Sequence, residues 1–151
     1  MKRITADEII KALDLIPLTT EGGFFRQTWR DEYGTVIYYL ITPESWSSLH
    51  RLTIAETWHF YAGDPLKQLQ IFPDGRTERV EFSTELLNGQ RPQLICPADV
   101  WQATRLAEGG EWALTGTTMA PGYTEDCIEF TDPEELAGAF PQHMELIKEF
   151  S

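Results

Sequence analysis

The chain has 151 residues, of which 24 are acidic and 12 basic, with 42% hydrophobic and 24% charged residues. This length suits one domain over residues 1–151 with its own core, and the composition excludes a wholly disordered chain. The net charge of −12 repels phosphate backbones and argues against nucleic-acid binding.

No apolar run approaches the ~20 residues of a membrane helix, and the opening "MKRITADEII" lacks a secretory pattern. Cys96 and Cys127 form no C-x-x-C pair. A cytoplasmic protein with reduced thiols is expected, with no membrane partner.

The first predicted element is a short helix. Thr5 stands at its N-cap with Glu8 three residues on, which is a capping box. Ala6, Ile9, Ile10 and Leu13 follow on one helical face, and Pro17 marks the end. From Phe24 to Phe130 the pattern changes to short runs rich in β-branched and aromatic residues. These are "GFFRQTWR", "TVIYYLI", "SLHRL", "TWHFYA", "KQLQIF", "RTERVEF", "RPQLIC", "VWQATRL", "EWALTGTTM" and "CIEF". Turn residues such as "DEYG", "PDG", "NGQ" and "APGY" separate them. Many short strands without helical patterns between them predict an all-β antiparallel sandwich or barrel. The tail returns to helix: Asp132 can cap, Pro133 suits the first helical position, and Glu134 and Glu135 sit at the positive end. Pro141 breaks that segment and starts another helical stretch, "PQHMELIKEF".

Chemistry-bearing residues gather in the middle. His50, Leu52, Glu56 and Gly63 are spaced like the first motif of the cupin superfamily, His-x-His followed by Glu and Gly. Pro97, Asp99 and Gln102 are spaced like the second, Pro-x-Gly followed by His. Leu52, Asp99 and Gln102 depart from the signature side chains. The blocks "LTTEGGFFRQTW", "SSLHRL", "ETWHFYAGDPL", "FPDG", "PADVWQA" and "APGYTEDCIEF" resemble, in order, those of the cupin-5 (DUF985) family. The resemblance implies a double-stranded β-helix, the jelly-roll cupin barrel, with short N- and C-terminal helices. It also implies pairing into a homodimer, and it implies no particular activity.

Metal-binding cupins use three His and one Glu from these motifs. Leu52 cannot bind a metal, and Gln102 offers only an amide oxygen, so neither a metal nor another cofactor is expected. Sugar-nucleotide epimerases of the same superfamily work without metal, through an imidazole base. His50 is the candidate base and Glu56 its partner or the acid, the cupin spacing placing the two on facing strands of one sheet. Trp58 and Gln102 are candidate ligand-binding residues at the same place. Arg26, in "GGFFRQTW", can hold an anionic group or pair with an acidic neighbour. Strand alternation turns Glu56 and Trp58 inward and His59 outward, to a dimer interface or a nearby carbonyl, unless a bulge between Glu56 and His59 reverses the assignment. Cys127 reads as a small buried hydrophobe.

The expected function is therefore binding of a small molecule, with metal-independent isomerase or epimerase chemistry on a polar carbonyl or sugar-like compound. Two alternatives stay open: a binding module without chemistry, and a barrel holding a divalent metal weakly.

Overall fold

The computed structural model describes residues 2–151. Helix α1 (Ala6–Ala12) leads into strands β1 (Ile16–Pro17), β2 (Phe24–Arg30), β3 (Thr35–Ile41), β4 (Ser47–Leu52), β5 (Glu56–Gly63) and β6 (Leu66–Ile71). Strands β7 (Thr77–Phe82), β8 (Gln93–Cys96), β9 (Trp101–Leu106), β10 (Ala113–Met119) and β11 (Ile128–Phe130) follow, then helices α2 (Pro133–Ala139) and α3 (Met144–Glu149).

The strands form two antiparallel sheets. Six run in the order β1-β2-β3-β10-β5-β8 and five in the order β11-β4-β9-β6-β7. Chain neighbours β4 and β5 lie in different sheets, as do β5 and β6. The chain thus winds back and forth between two layers, as a jelly roll does.

The ends of the helices follow their sequence signals. At α1 the Thr5 side chain accepts from the Glu8 amide, while Glu8 reaches back to the Thr5 amide at 3.1 Å. At α2 Asp132 accepts from the Glu134 amide at 2.7 Å, with Pro133 in the first turn. The α1 helix ends at Ala12, before the predicted stop at Pro17, and Asp14 then turns the chain at φ 53°. Pro17 lies instead in the two-residue β1, which the sequence pattern did not reveal because it is too short to alternate. Pro141 opens a tight helical turn (Pro141–His143) that runs into α3.

Alternation distributes the side chains into layers. Tyr39, Ile41, Trp58, Phe60, Leu66, Phe82 and Ala113 fill the space between the sheets. The outer face of the five-stranded sheet is also apolar: Leu49, Leu69, Ile71, Trp101 and Ala103 are covered by Leu136, Ala137, Ile147 and Phe150 of the C-terminal helical segment. Ile147 and Phe150 are fully buried, each contributing about 1.5–3 kcal/mol through the area removed from water. On the six-stranded side α1 seats Ile9 beside Leu40 and Trp112.

The residues between those outward apolar ones are polar. His50, Gln68, Gln70, Gln102 and Thr104 are all buried on the five-stranded sheet. Buried polar groups of this number are tolerated only when bonded, and among the described residues no buried side-chain nitrogen or oxygen lacks a partner.

Candidate functional site

A cavity of about 130 Å³ opens between the two sheets. Its volume is close to the roughly 150 Å³ of an engineered cavity that admits benzene. Phe25, Tyr39 and Trp58 supply aromatic wall, and Glu21, Glu56 and Thr117 are among its polar groups.

Glu56 opens β5 and is 8% exposed. Burial pushes its carboxyl up to about 7, helped by the negative charge of Glu21 and opposed by His50, Thr117 and Gln102. Gln102 on β9 donates from Nε2 to Glu56 Oε1 at 3.2 Å, and its own Oε1 accepts from the Trp58 indole at 3.2 Å.

His50 lies across the register from Gln102, on β4. Its Nδ1 is 2.7 Å from the Ser48 carbonyl oxygen, an acceptor only, so Nδ1 carries the hydrogen. Nε2 then faces Oε1 of Glu21 at 3.8 Å, too long for a hydrogen bond.

Glu21 sits in a turn that two glycines make possible. Gly22 and Gly23 have φ of 102° and 73°, and a Cβ on Gly22 would run into the Trp46 carbonyl oxygen. The turn is pinned by the Tyr39 hydroxyl, which donates to the Gly22 carbonyl at 2.5 Å, and by the Ser48 hydroxyl, which donates to the Glu21 carbonyl at 2.6 Å. The Ser47 hydroxyl donates to the Glu21 carboxylate at 2.8 Å. Burial and the Glu21 charge hold the Tyr39 phenol far above its ordinary range, so it acts here as a neutral donor.

The residues singled out from sequence are thus distributed. Trp58 and Glu56 line the cavity, whereas His50 and Gln102 stand behind its wall, bonded to other groups. His50 and Glu56 do not lie on one sheet: β4 belongs to the five-stranded sheet and β5 to the six-stranded one, because Thr53–Ala55 carries the chain across. The partner facing His50 is Glu21, not Glu56. Arg26 points out of the barrel, where its guanidinium meets Asp14 at 3.0 Å with the side chain half exposed. His59 lies on the opposite face of β5 from Trp58 and bonds the Thr118 hydroxyl at 3.0 Å.

Sequence reasoning missed Glu21, Tyr39 and Thr117. The one local hint was the pair of glycines after Glu21, which announces a tight turn at an acidic residue.

The donors do not suit a metal ion. Among the described residues no group of three or more His, Cys, Asp or Glu side chains is arranged to hold one. Leu52 presents hydrocarbon to the cavity, and Gln102 Oε1 is already bonded to Trp58. The His50 Nε2 is free, but among the described residues it is the single imidazole donor beside the cavity.

A two-sheet jelly roll that gathers polar side chains at these motif positions defines the cupin class of barrel. The chain belongs to the Cupin_5 family, described as "Cupin superfamily (DUF985)", whose model matches residues 7–131. It is similar to protein SO0799 from Shewanella oneidensis, at 32% identity and a TM-score of 0.92 over 99% of this chain and 98% of that one. It is likewise similar to a hypothetical protein from Leishmania major, at 29% identity and a TM-score of 0.91 over 98% and 99%. An oxalate decarboxylase from Bacillus subtilis shares the fold alone, at 15% identity and a TM-score of 0.61, over 92% of this chain and 38% of that one.

Proposed function

We propose that the cavity binds a small, uncharged polar molecule and that Glu56 exchanges a proton with it without a metal. The supporting observation is a buried carboxyl, raised to about 7, on the wall of a largely apolar cavity. A group tuned to the ambient pH serves both as base and as acid. Glu56, ionised, takes the hydrogen from a carbon next to a carbonyl, and the bonding pair moves onto the carbonyl oxygen as an enolate. Glu56 exchanges the captured proton with water; protonating the neighbouring carbon from the same face then gives an isomer, and protonating the original carbon after the enolate has turned over gives an epimer. The step balances without oxidant or reductant.

Charge supports an uncharged ligand. Glu21 and Glu56 face the cavity, and among the described residues no Lys or Arg lines it. Arg30 stands at its edge but is engaged, donating to Gln27 at 3.1 Å and to the Tyr123 carbonyl at 2.7 Å. A dianion placed between two carboxylates meets repulsion in a weakly screened site.

The test is hydrogen exchange with solvent. A panel of small hydroxycarbonyl compounds is incubated with the protein in D2O, and deuterium on carbon is read by NMR. At least one compound takes up deuterium with the parent, and Glu56→Gln abolishes it. Exchange that continues at the parent rate in Glu56→Gln overturns the assignment to Glu56, and no exchange across the panel overturns the chemistry.

A homodimer and a cytoplasmic setting complete the reading. Trp29 on β2, 60% exposed, and Ile16 on the edge strand β1, 58% exposed, support pairing through that end of the six-stranded sheet. Two free thiols, Cys96 and Cys127, support a reducing compartment.

A further inference from the structure

Behind Glu56 runs a ladder of buried amides whose polarity is fixed at both ends. At one end Gln70 donates from Nε2 to the Ile95 carbonyl at 3.2 Å and to Gln68 Oε1 at 2.8 Å. The Gln68 amide then donates from Nε2 to the Thr104 hydroxyl at 2.9 Å, with Gln102 Oε1 at 3.5 Å. At the other end the Trp58 indole donates to Gln102 Oε1, and Gln102 Nε2 donates to Glu56 Oε1.

An amide can be turned end for end, so its direction needs an external reference. Two references exist here. The Ile95 carbonyl only accepts, so it must meet the nitrogen of Gln70. The Trp58 indole only donates, so it must meet the oxygen of Gln102. Reversing Gln102 would set its N–H₂ against the indole N–H and the Gln68 N–H₂, leaving buried donors without acceptors at about 1–3 kcal/mol each. The remaining group, Gln102 Nε2, therefore always points at Glu56 Oε1.

We propose that Gln102 is a positioning residue, held by Trp58 and Gln68, that keeps Glu56 Oε1 a hydrogen-bond acceptor and confines the exchangeable proton to Oε2. This rests on the reading that Glu56 carries the proton. An oxygen that accepts an N–H cannot at the same time point a hydrogen along that line, so the acid form of Glu56 protonates on its other oxygen. Gln102 is thus neither a metal ligand nor a contact of the bound molecule. It selects which oxygen works, and it favours the charged form of a carboxyl that burial disfavours. The other charged or titratable groups acting on Glu56 are Glu21 and His50, while the buried thiol of Cys96 on the paired strand β8 and the Tyr39 phenol respond to its charge.

Infrared titration of the ligand-free protein tests this, with Glu56→Gln used to assign the Glu56 acid carbonyl band. In the parent that band sits at the low frequency of a carbonyl accepting an N–H. In Gln102→Leu it moves to higher frequency, and the midpoint of its loss rises by about one to two pH units, the worth of one hydrogen bond to a charged group. Trp58→Phe keeps Gln102 but frees its amide to turn. It moves the band and the midpoint in the same direction by less, which covers the case that Gln102→Leu does not fold. Variants that hold the parent's near-ultraviolet circular dichroism and leave band and midpoint unchanged overturn the positioning role. Because no substrate is used, the outcome is independent of deuterium uptake. A moved band without any uptake keeps the positioning role and removes the chemistry, and uptake with an unmoved band does the reverse.

Discussion

His50 Nε2 stands 3.8 Å from Oε1 of Glu21, and the two residues come from opposite ends of a strand-and-turn excursion that Ser47 and Ser48 tie down. The ring offers Glu21 the one edge it has free, since Nδ1 is bonded to the Ser48 carbonyl. Glu21 in turn presses on Glu56, whose carboxyl rises partly because of that negative charge. Glu21→Gln removes the charge and keeps the shape. The Glu56 midpoint is then expected to fall from about 7 toward the ordinary carboxylate range, as read by infrared titration. An unchanged midpoint means that burial alone sets it.

The raised carboxyl also dictates how stability varies with pH. Glu56 takes up its proton near 7 when folded and near 4.5 when unfolded, so between these values the folded chain holds more protons. Stability from this group is present below 4.5 and is lost as pH rises through 7, by up to about 3 kcal/mol. Glu56→Gln is therefore expected to exceed the parent in stability at pH 8 and to lose that advantage at pH 5. Urea denaturation at the two pH values measures the difference, and a variant less stable at pH 8 contradicts the sign.

Protein purified without added metal is expected to carry no stoichiometric zinc, iron or manganese. Leu52 offers no donor, and the amide oxygen of Gln102 is taken by Trp58. Elemental analysis checks this. About one transition ion per chain, lost on His50→Ala, shows that the ladder opens to admit a metal.

Light scattering at micromolar concentration is expected to give twice the 17.3 kDa of the chain. Trp29→Glu, within the exposed stretch of β2, is expected to yield the monomer without loss of fold. A parent that is monomeric, or a Trp29→Glu variant that still pairs, places the interface elsewhere or removes it.

The parts of the fold legible in the sequence are those set by neighbours along the chain. Thr5 with Glu8, and Asp132 with Pro133, act within four residues, and both ends formed as their chemistry dictates. Alternation separated Trp58 from His59 because that period is also local. What the spacing of His50 and Glu56 does not carry is which sheet each strand joins. Thr53–Ala55 is compatible with a hairpin or with a crossing, and only the pairing of β4 with β9 and of β5 with β10 decides. Glu21 was hidden for the same reason, since its partners Ser47 and His50 are distant in sequence. Arg26 had an acidic neighbour as the competing reading, and Asp14 took it.

The cavity wall is drawn from both layers: Leu52 and Ile128 belong to the five-stranded sheet, Phe25, Glu56 and Thr117 to the six-stranded one. A molecule lodged there acts as a rivet through the sandwich. At a concentration of 100 times its dissociation constant it adds about 2.7 kcal/mol to the folded state, and that energy is shared by whatever must separate for the rivet to come out. Amides of β6 and β9, which are hydrogen-bonded to each other and contribute nothing to that wall, should therefore exchange more slowly when the cavity is filled. Occupancy of one small space becomes a property of both layers.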